Sequence, residues 1–519
     1  RSYEIPFLSP AAVSDKNQIF PDDLLVSVRQ GHVTLRSKRL NKQVIPRLST
    51  AHNSNGGLPL YRFLCDMQRV NSRSTLTWNW EKLSQQPFLP RIQYKHIILA
   101  KAKWFIRYKD LSVDQAVKPN DAQLRLYLTS HALPRYFCLT EYDNELVLDS
   151  EQAIDRQIML QHLGKEGQLK LTEFLSTVNQ CFLREANHCY ANEVLLPLRN
   201  SKARQPADHA LSVSEWPTRS FSPGSEWVYL KLYGGTKYSD QVLTDVLLPL
   251  IMQWRQRGLI QQWFYIRYAD PQYHLRVRFR LAAKQADYLG MLLSEVHTVL
   301  TPLLTQGRLH KIQLDTYERE LERYGPANIE NSEALFSHDS LATASILALL
   351  GGDEGETYRW LLALRGLDEL LNDFGLELLK KQQFLQYLSQ VFFQEFKGDK
   401  ALTVQLDKKY RHESLRIHRF LDPKQDASQG IEEAAQYFVQ RSQNWQPIIV
   451  SIQAQYPNGL LETDKGRNLL FSYVHMYLNR FILSQPRVHE LTLYALLYKY
   501  YTAQLAKGKA ASMAGQVED

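Results

Sequence analysis

His274-Leu275-Arg276-Val277-Arg278-Phe279 alternates polar with apolar residues. Successive side chains of a strand point to opposite faces, so His274, Arg276 and Arg278 share one face and Leu275, Val277 and Phe279 pack the other. Two guanidiniums on one face repel each other, and an anion between them, such as a carboxylate or phosphate, relieves the repulsion. The pattern equally fits a solvated edge strand whose arginines discourage edge pairing. The flanking sequence supplies a hairpin. Trp263–Tyr268 reads as one strand, Ala269-Asp270-Pro271-Gln272 as the turn, and Tyr273–Leu281 as the returning strand, with Pro presetting φ and Asp bonding its own backbone.

Working outward, a strand is predicted at Glu226–Tyr233. A helix follows at Ser239–Arg257, where Val242, Leu243, Val246, Leu250 and Trp254 keep a 3.6 period. Beyond the hairpin come a helix at Gln285–Leu304 and a strand at Lys311–Glu320. Helices follow from Leu341 onward, at Tyr358–Leu376, Gln382–Glu395, Ile431–Tyr456, Thr463–Ser484 and Glu490–Leu505. Strand–helix–strand–strand–helix–strand and then helices predicts an α+β domain whose sheet is covered by helices. Upstream, Leu24–Val28 and His32–Leu35 read as a hairpin around Arg29-Gln30-Gly31, and Asn53–Gly57 as a loop. Ile92–Ala100 reads as one β-prone run, Asp121–Ser130 as a helix, and Pro134–Thr140 as a strand turning at Tyr142–Glu145 into Leu146–Leu148. Residues 151–200 read as helical, with Leu169, Leu171, Phe174 and Leu175 on the apolar face. Prolines 206, 217 and 223 and the polar Lys202–Asp208 mark a boundary. The expected division is 1–205, a linker at 206–223, 224–506, and a frayed tail at 507–519.

Composition bounds the function. The 519 residues carry 62 Lys+Arg against 54 Asp+Glu, a net +8 without a basic run, which is no nucleic-acid signature. The 4 cysteines (65, 138, 181, 189) form no CxxC pair, so they read as reduced thiols in a cytoplasmic protein and not as a zinc site. No apolar run approaches the ~20 residues that span a bilayer. The start at Arg1 lacks Met, so a piece of something longer is expected. GxGxxG, the P-loop, HExxH and GxSxG are all absent. His338-Asp339-Ser340 holds the residue types of a hydrolase triad, yet consecutive residues cannot form that geometry. His412 and His418 are too far apart to share a metal as an i,i+4 pair.

Two further constellations could carry chemistry. Arg319 stands at the end of a strand in Thr316–Gly325, with Glu320 and Glu322 as structural partners or as members of a surface ion cluster. His475 and Asn479 share a helix face beside Arg480, either as structural residues or with His475 moving protons near neutral pH.

Trp227–Tyr233, Trp263–Pro271 and His274–Phe279 occur in that order with Tyr317-Glu318-Arg319-Glu320, Arg323-Tyr324-Gly325, Phe336, Asp339-Ser340, and His475-Met476 with Asn479-Arg480. The set resembles the elimination domain of class I lanthipeptide (lantibiotic) dehydratases. Ile19–Leu24, Val44–Arg47, Tyr61–Leu64, Leu89–Ile92, Trp104, Leu133–Arg135 and Asp143–Leu146 resemble the last part of that family's glutamylation domain. The resemblance implies a peptide dehydratase with an α+β fold. Glutamate from glutamyl-tRNA is placed on Ser or Thr of a precursor peptide and then eliminated, giving dehydroalanine or dehydrobutyrine. It implies Arg276, Arg278, Arg319 and His475 as the catalytic set, with His475 acting as base, as acid, or only orienting an arginine. It implies no cofactor or metal, and the precursor peptide, glutamyl-tRNA, a second copy of the chain and a lanthipeptide cyclase as partners. Two other readings are a thiopeptide-type elimination or pyridine-forming cyclase, against which residues 1–200 argue, and a non-catalytic peptide-binding subunit of a split dehydratase.

Overall fold

The computed structural model describes residues 3–29, 32–48, 52–70, 78–111, 119–141, 144–175, 183–186, 188–190, 217–282 and 287–515. The chain divides into two compact units, Arg1–Leu211 and Ser212–Asp519. The α+β expectation holds: small antiparallel sheets are followed by a long helical array.

In the first unit, Leu24–Arg29 pairs with His32–Ser37 as expected, and Lys42–Val44 adds a third strand. A five-stranded sheet runs in the order Phe88–Leu89, Lys103–Arg107, Gln168–Glu173, Tyr136–Glu141, Asn144–Asp149. Two helices, Asp121–Ser130 and Ala153–Glu166, share its core through Leu124, Leu163, Phe137 and Leu171. The first opens on a capping box in which Asn120 and Gln123 satisfy each other's backbone N–H groups. Two expectations are corrected. The helical reading of 151–200 stops at Gly167, whose φ of 72° ends the helix in the left-handed region. Leu169 and Leu171 then alternate with Lys170 on a central strand. The single run at 92–100 is a hairpin of Ile92–Tyr94 and Ile97–Ala100, turned at Lys95. Asn53 caps a one-turn helix at Ser54–Gly56 inside the expected loop. The turns at 30–31 and 142–143, and positions 206–216 of the expected linker, lie outside the described residues. Cys65 and Cys138 are free and buried.

The second unit opens with β1 (Ser220–Phe221) and β2 (Trp227–Gly234), then helix α1 (236–256), whose middle, Val242–Leu247, is wound as a π-helix. β3 (Ile260–Tyr268) and β4 (His274–Leu281) form the expected hairpin, and helix α2 (Asp287–Thr305) leads to β5 (Leu309–Asp315). The sheet order is β3-β4-β2-β5, all antiparallel, so the βαββαβ chain makes two interlocked split units. The expected strand at 311–320 breaks after Asp315. β6 (Tyr317–Glu318) leaves this sheet and pairs with β1. Phe279 meets Trp254 of α1 edge to face, which places the two helices behind the apolar face of β4.

The β3 edge and the β3 side of the opposite face belong to the later helices. These are α3 (Leu321–Tyr324), α4 (Ile329–Ala348), α5 (Gly352–Asp373), α6 (Leu378–Glu395), α7 (Lys400–Phe420), α8 (Glu432–Gln453), α9 (Asp464–Phe481) and α10 (Pro486–Gly515). α7 was not anticipated: its low hydrophobicity buries only Ile417 and Phe420. The tail expected to fray from Lys507 continues helical to Gly515.

β3 is an edge strand, and its free backbone groups are met by side chains. Trp263 N–H donates to Ser337 Oγ (3.2 Å) and Tyr265 N–H to Ser340 Oγ (3.3 Å), both on α4. Arg267 N–H donates to Asn479 Oδ1 (2.9 Å) of α9, and Asn479 Nδ2 returns a bond to Arg267 O (2.9 Å). An Asn amide carries one acceptor and one donor in the spacing of a peptide group, so it completes the ladder as a further strand would. Beneath lies a buried ion cluster. Asp339 accepts from Arg480 Nη1 (2.8 Å) and Arg441 Nη1 (3.2 Å), and Asp373 Oδ2 stands 3.6 Å from Arg441 Nη2. Burial pushes the Asp373 carboxyl up to about 6 despite Arg441.

Two outcomes test this packing. Asn479→Ala strands a backbone donor and acceptor and should cost about 1–3 kcal/mol, seen as a lower urea midpoint. Asp373 titrates higher folded than unfolded, so its contribution is present below the ordinary Asp value near ~4 and is lost as pH rises through about 6. Asp373→Asn should therefore raise the thermal midpoint relative to wild type at pH 8 and give little or no gain at pH 5.

Candidate functional site

β4 is central in the sheet, so the face carrying His274, Arg276 and Arg278 is flanked on both sides. Across β3, Arg278 opposes Phe264 and Arg276 opposes Ile266. Across β2, they oppose Tyr229 and Lys231. Arg278 is only 8% exposed. Its guanidinium carbon lies 4.5 Å from the ring centre of Tyr229, 5.1 Å from Phe264 and 4.9 Å from Tyr317. Among the described residues no carboxylate pairs with it, and its buried Nε has no hydrogen-bond partner. Aromatic faces offset part of the cost of burying this cation but supply no hydrogen-bond acceptor.

Arg276 stacks on Tyr268 with its guanidinium carbon 3.4 Å from the ring centre and donates from Nε to His274 Nε2 (3.1 Å). His274 Nδ1 lies 2.7 Å from Gln272 O. A carbonyl only accepts and a guanidinium only donates, so the imidazole is neutral with its proton on Nδ1. Burial lowers its pKa, outweighing the Gln272 carbonyl, and Arg276 and Lys231 lower it further. Arg276 and Arg278 are thus held by rings and a neutral histidine, and neither makes an ion pair among the described residues, whereas Arg280 further along the strand pairs with Glu226 (3.2 Å).

Arg319 differs. It is 2% exposed and bonds Glu333 of α4 through two N–H groups, at 2.8 and 2.7 Å. Glu330 stands 3.5 Å away. The expected partners Glu320 and Glu322 instead pair with Arg323 and Arg219. The break after Asp315 turns Arg319 inward, away from those surface acids. Burial works against the Arg319 charge, and Glu333 outweighs it and raises the pKa. Glu333 Oε1 also accepts from Tyr317 O–H (2.7 Å), so Arg319 and Glu333 fix the ring on which Arg278 rests.

His475 stands on α9. Its Nδ1 lies 2.7 Å from Glu490 Oε1 of α10, and Glu490 is fully buried and accepts a second bond from Arg487 (3.0 Å). A carboxylate accepts only, so Nδ1 carries the proton and Nε2 is the open nitrogen of a side chain 22% exposed. Helical spacing puts Ser472 and Asn479 on the same side of α9. Ser472 Oγ accepts from Arg323 (3.1 Å), and Asn479 holds the end of β3. The structure therefore joins Arg278 and Arg319 through Tyr317 and Glu333 and sets Arg276 beside Arg278 on the same strand face, while the hydrogen bond of His475 goes to Glu490 and not to an arginine. His338-Asp339-Ser340 does no shared chemistry: Asp339 is an ion partner and Ser340 caps the sheet edge. Sequence reasoning missed Glu333 and Glu490. Both are acids with large apolar residues one turn away, Ile329 and Phe336 for Glu333 and Leu493 and Tyr494 for Glu490, the one signal that could have marked them.

No group of three or more His, Cys, Asp and Glu side chains suited to a metal occurs among the described residues. No helix there is long and apolar enough to cross a membrane.

The chain is 22% identical over 420 residues to the subtilin biosynthesis protein SpaB of Bacillus subtilis, covering 78% of this chain and 40% of SpaB. It is 25% identical over 306 residues to the nisin biosynthesis protein NisB of Lactococcus lactis subsp. lactis, covering 56% of this chain and 28% of NisB. It therefore spans less than half the length of these relatives. The crystal structure of the tRNA dependent lantibiotic dehydratase MibB from Microbispora sp. 107891 aligns with a TM-score of 0.46 at 22% identity, over 95% of this chain and 48% of that one. Residues 227–501 match the lantibiotic biosynthesis dehydratase C-terminal family and residues 1–159 the lantibiotic dehydratase N-terminal family, so the chain belongs to the lantibiotic dehydratases.

Proposed function

We propose that the second unit eliminates glutamate from glutamylated Ser or Thr of a precursor peptide, and that residues 1–205 are part of the domain that places glutamate there from glutamyl-tRNA. The observation that carries the reading is Arg278, a cation nine-tenths buried on three rings with no carboxylate of its own among the described residues. Such a charge is stabilised when an anion enters, and elimination both brings in a carboxylate and releases one.

The chemistry needs no cofactor. A base takes the Cα proton, the electron pair forms the Cα=Cβ bond, and the Cβ–O bond breaks to release glutamate as a carboxylate. Charge builds on the peptide carbonyl and on the departing oxygen. Arg278 and Arg276 stabilise that charge. Arg319, already neutralised by Glu333, is a positioning residue that sets Tyr317. His475 moves the proton: Glu490 fixes its tautomer and leaves Nε2 able to accept. Work on a precursor peptide in the cytoplasm, beside glutamyl-tRNA, completes the proposal. The likeness to SpaB and NisB, named as subtilin and nisin biosynthesis proteins, supports a peptide substrate.

The test is a synthetic peptide bearing O-glutamyl serine, given to the full chain and followed by mass spectrometry. Wild type should release glutamate and leave dehydroalanine. His475→Ala should slow this by about 10²–10⁴-fold. Arg278→Ala should slow it by about 10²–10³-fold. Both should leave the ester intact with circular dichroism unchanged. An inert wild type, or two variants as fast as wild type, would overturn the assignment.

A further inference from the structure

A glutamyl group transferred from tRNA is esterified through its α-carboxyl. It therefore presents two charges: a free γ-carboxylate and a free α-ammonium. Arginines account for the first. Arginines alone repel the second.

The sheet face that holds Arg276 and Arg278 carries one carboxylate among the described residues of its four strands, Asp315 of β5. In the cross-strand register Arg278 opposes Tyr229, and Tyr229 opposes Asp315 on its other side. Direct opposition places all three side chains on the same face. Arg278 and Asp315 thus stand two strand spacings apart, about 10 Å between backbones, with the Tyr229 ring between them. The Arg278 guanidinium lies over that ring, and so does the Lys231 ammonium (5.5 Å from its centre) that pairs with Asp315. Asp315 is partly open, with 31% of its side chain exposed, and is ion-paired with Lys231. Burial works against its charge, but Lys231, the Thr316 N–H and Arg276 outweigh it and hold its pKa below the usual carboxylate range. It is therefore ionised at neutral pH. A carboxylate has about four lone-pair sites, so Lys231 leaves room for a second cation.

We propose that Asp315 binds the α-ammonium of the glutamyl group while Arg278 meets the departing α-carboxylate and Arg276 the γ-carboxylate, so that the face selects a zwitterionic acyl group over a merely acidic one. This rests on the elimination reading and adds the residue that tells glutamyl from other dicarboxylic acyl groups. Lys231 then has a task of its own, holding Asp315 ionised and aimed across β2 while the site is empty.

The experiment compares O-glutamyl with O-glutaryl serine peptides, the second being the same acyl chain without the amine. Wild type and Asp315→Asn are each tested on both. The intrinsic difference between the two leaving groups cancels in the ratio. Asp315→Asn should lose about tenfold or more in kcat/KM on the glutamyl peptide, mostly through KM, and should keep its rate on the glutaryl peptide. Asp315→Glu should recover part of the loss. Calorimetric binding of free glutamate and free glutarate makes the same comparison without turnover. A wild type that binds glutamate over glutarate yet eliminates neither ester would sink the lyase reading and leave this site standing. Equal loss on both peptides, or none on either, with no glutamate preference in binding, would overturn the role of Asp315.

Discussion

Glu333 is one carboxylate asked to satisfy three donors, and the site follows from how it is shared. Two N–H groups of Arg319 and the hydroxyl of Tyr317 occupy both of its oxygens. Removing Arg319 or Glu333 would leave a buried charge unmatched, so the pair is fixed and Tyr317 is tied to it. The ring of Tyr317 is then immovable, and Arg278 rests against it. Two buried guanidiniums meet this unit, Arg319 through Glu333 and Arg278 through the Tyr317 ring, yet only Arg319 has a counterion among the described residues. That asymmetry separates a structural arginine from one with an unspent charge.

The helical half of the second unit serves the same face. α4 brings Glu333 and the serines that cap β3, and Phe336 of the same helix packs on Phe264 beneath Arg278. α9 brings Asn479 to the end of β3 and, one turn earlier, His475, which α10 steadies through Glu490. Helix packing and proton-transfer geometry thus depend on the same few turns.

The sequence made some of this legible and hid the rest for identifiable reasons. Alternation through His274–Phe279 revealed the strand and the shared face of Arg276 and Arg278, because a central strand over an apolar core has a strict period of two. The split βαββαβ order and the helix at Asp121–Ser130 were visible for similar local reasons. The partners were not. Glu333, Glu490 and Asp315 lie on other elements, and nothing local says which acid meets which base. For Arg319 the nearest acids in the sequence, Glu320 and Glu322, were the wrong ones, since the chain turns after Asp315. Leu169 and Leu171 were read on a helical period, although Lys170 between them fits the alternation of a strand equally well. α7 shows too few apolar residues to announce itself.

The side-chain closure of β3 also bears on synthesis. Asn479 emerges from the ribosome 212 residues after Arg267, the residue whose backbone it completes. At ~5–20 residues per second, that interval is about 10–40 s. Throughout it the nascent hairpin displays a bare row of amides and carbonyls at the end of β3. A bare row of that kind is a template for a stray strand from a neighbouring polypeptide. The penultimate long helix therefore closes a vulnerability that opens when the hairpin first leaves the tunnel, and translation speed sets how long the growing chain is at risk.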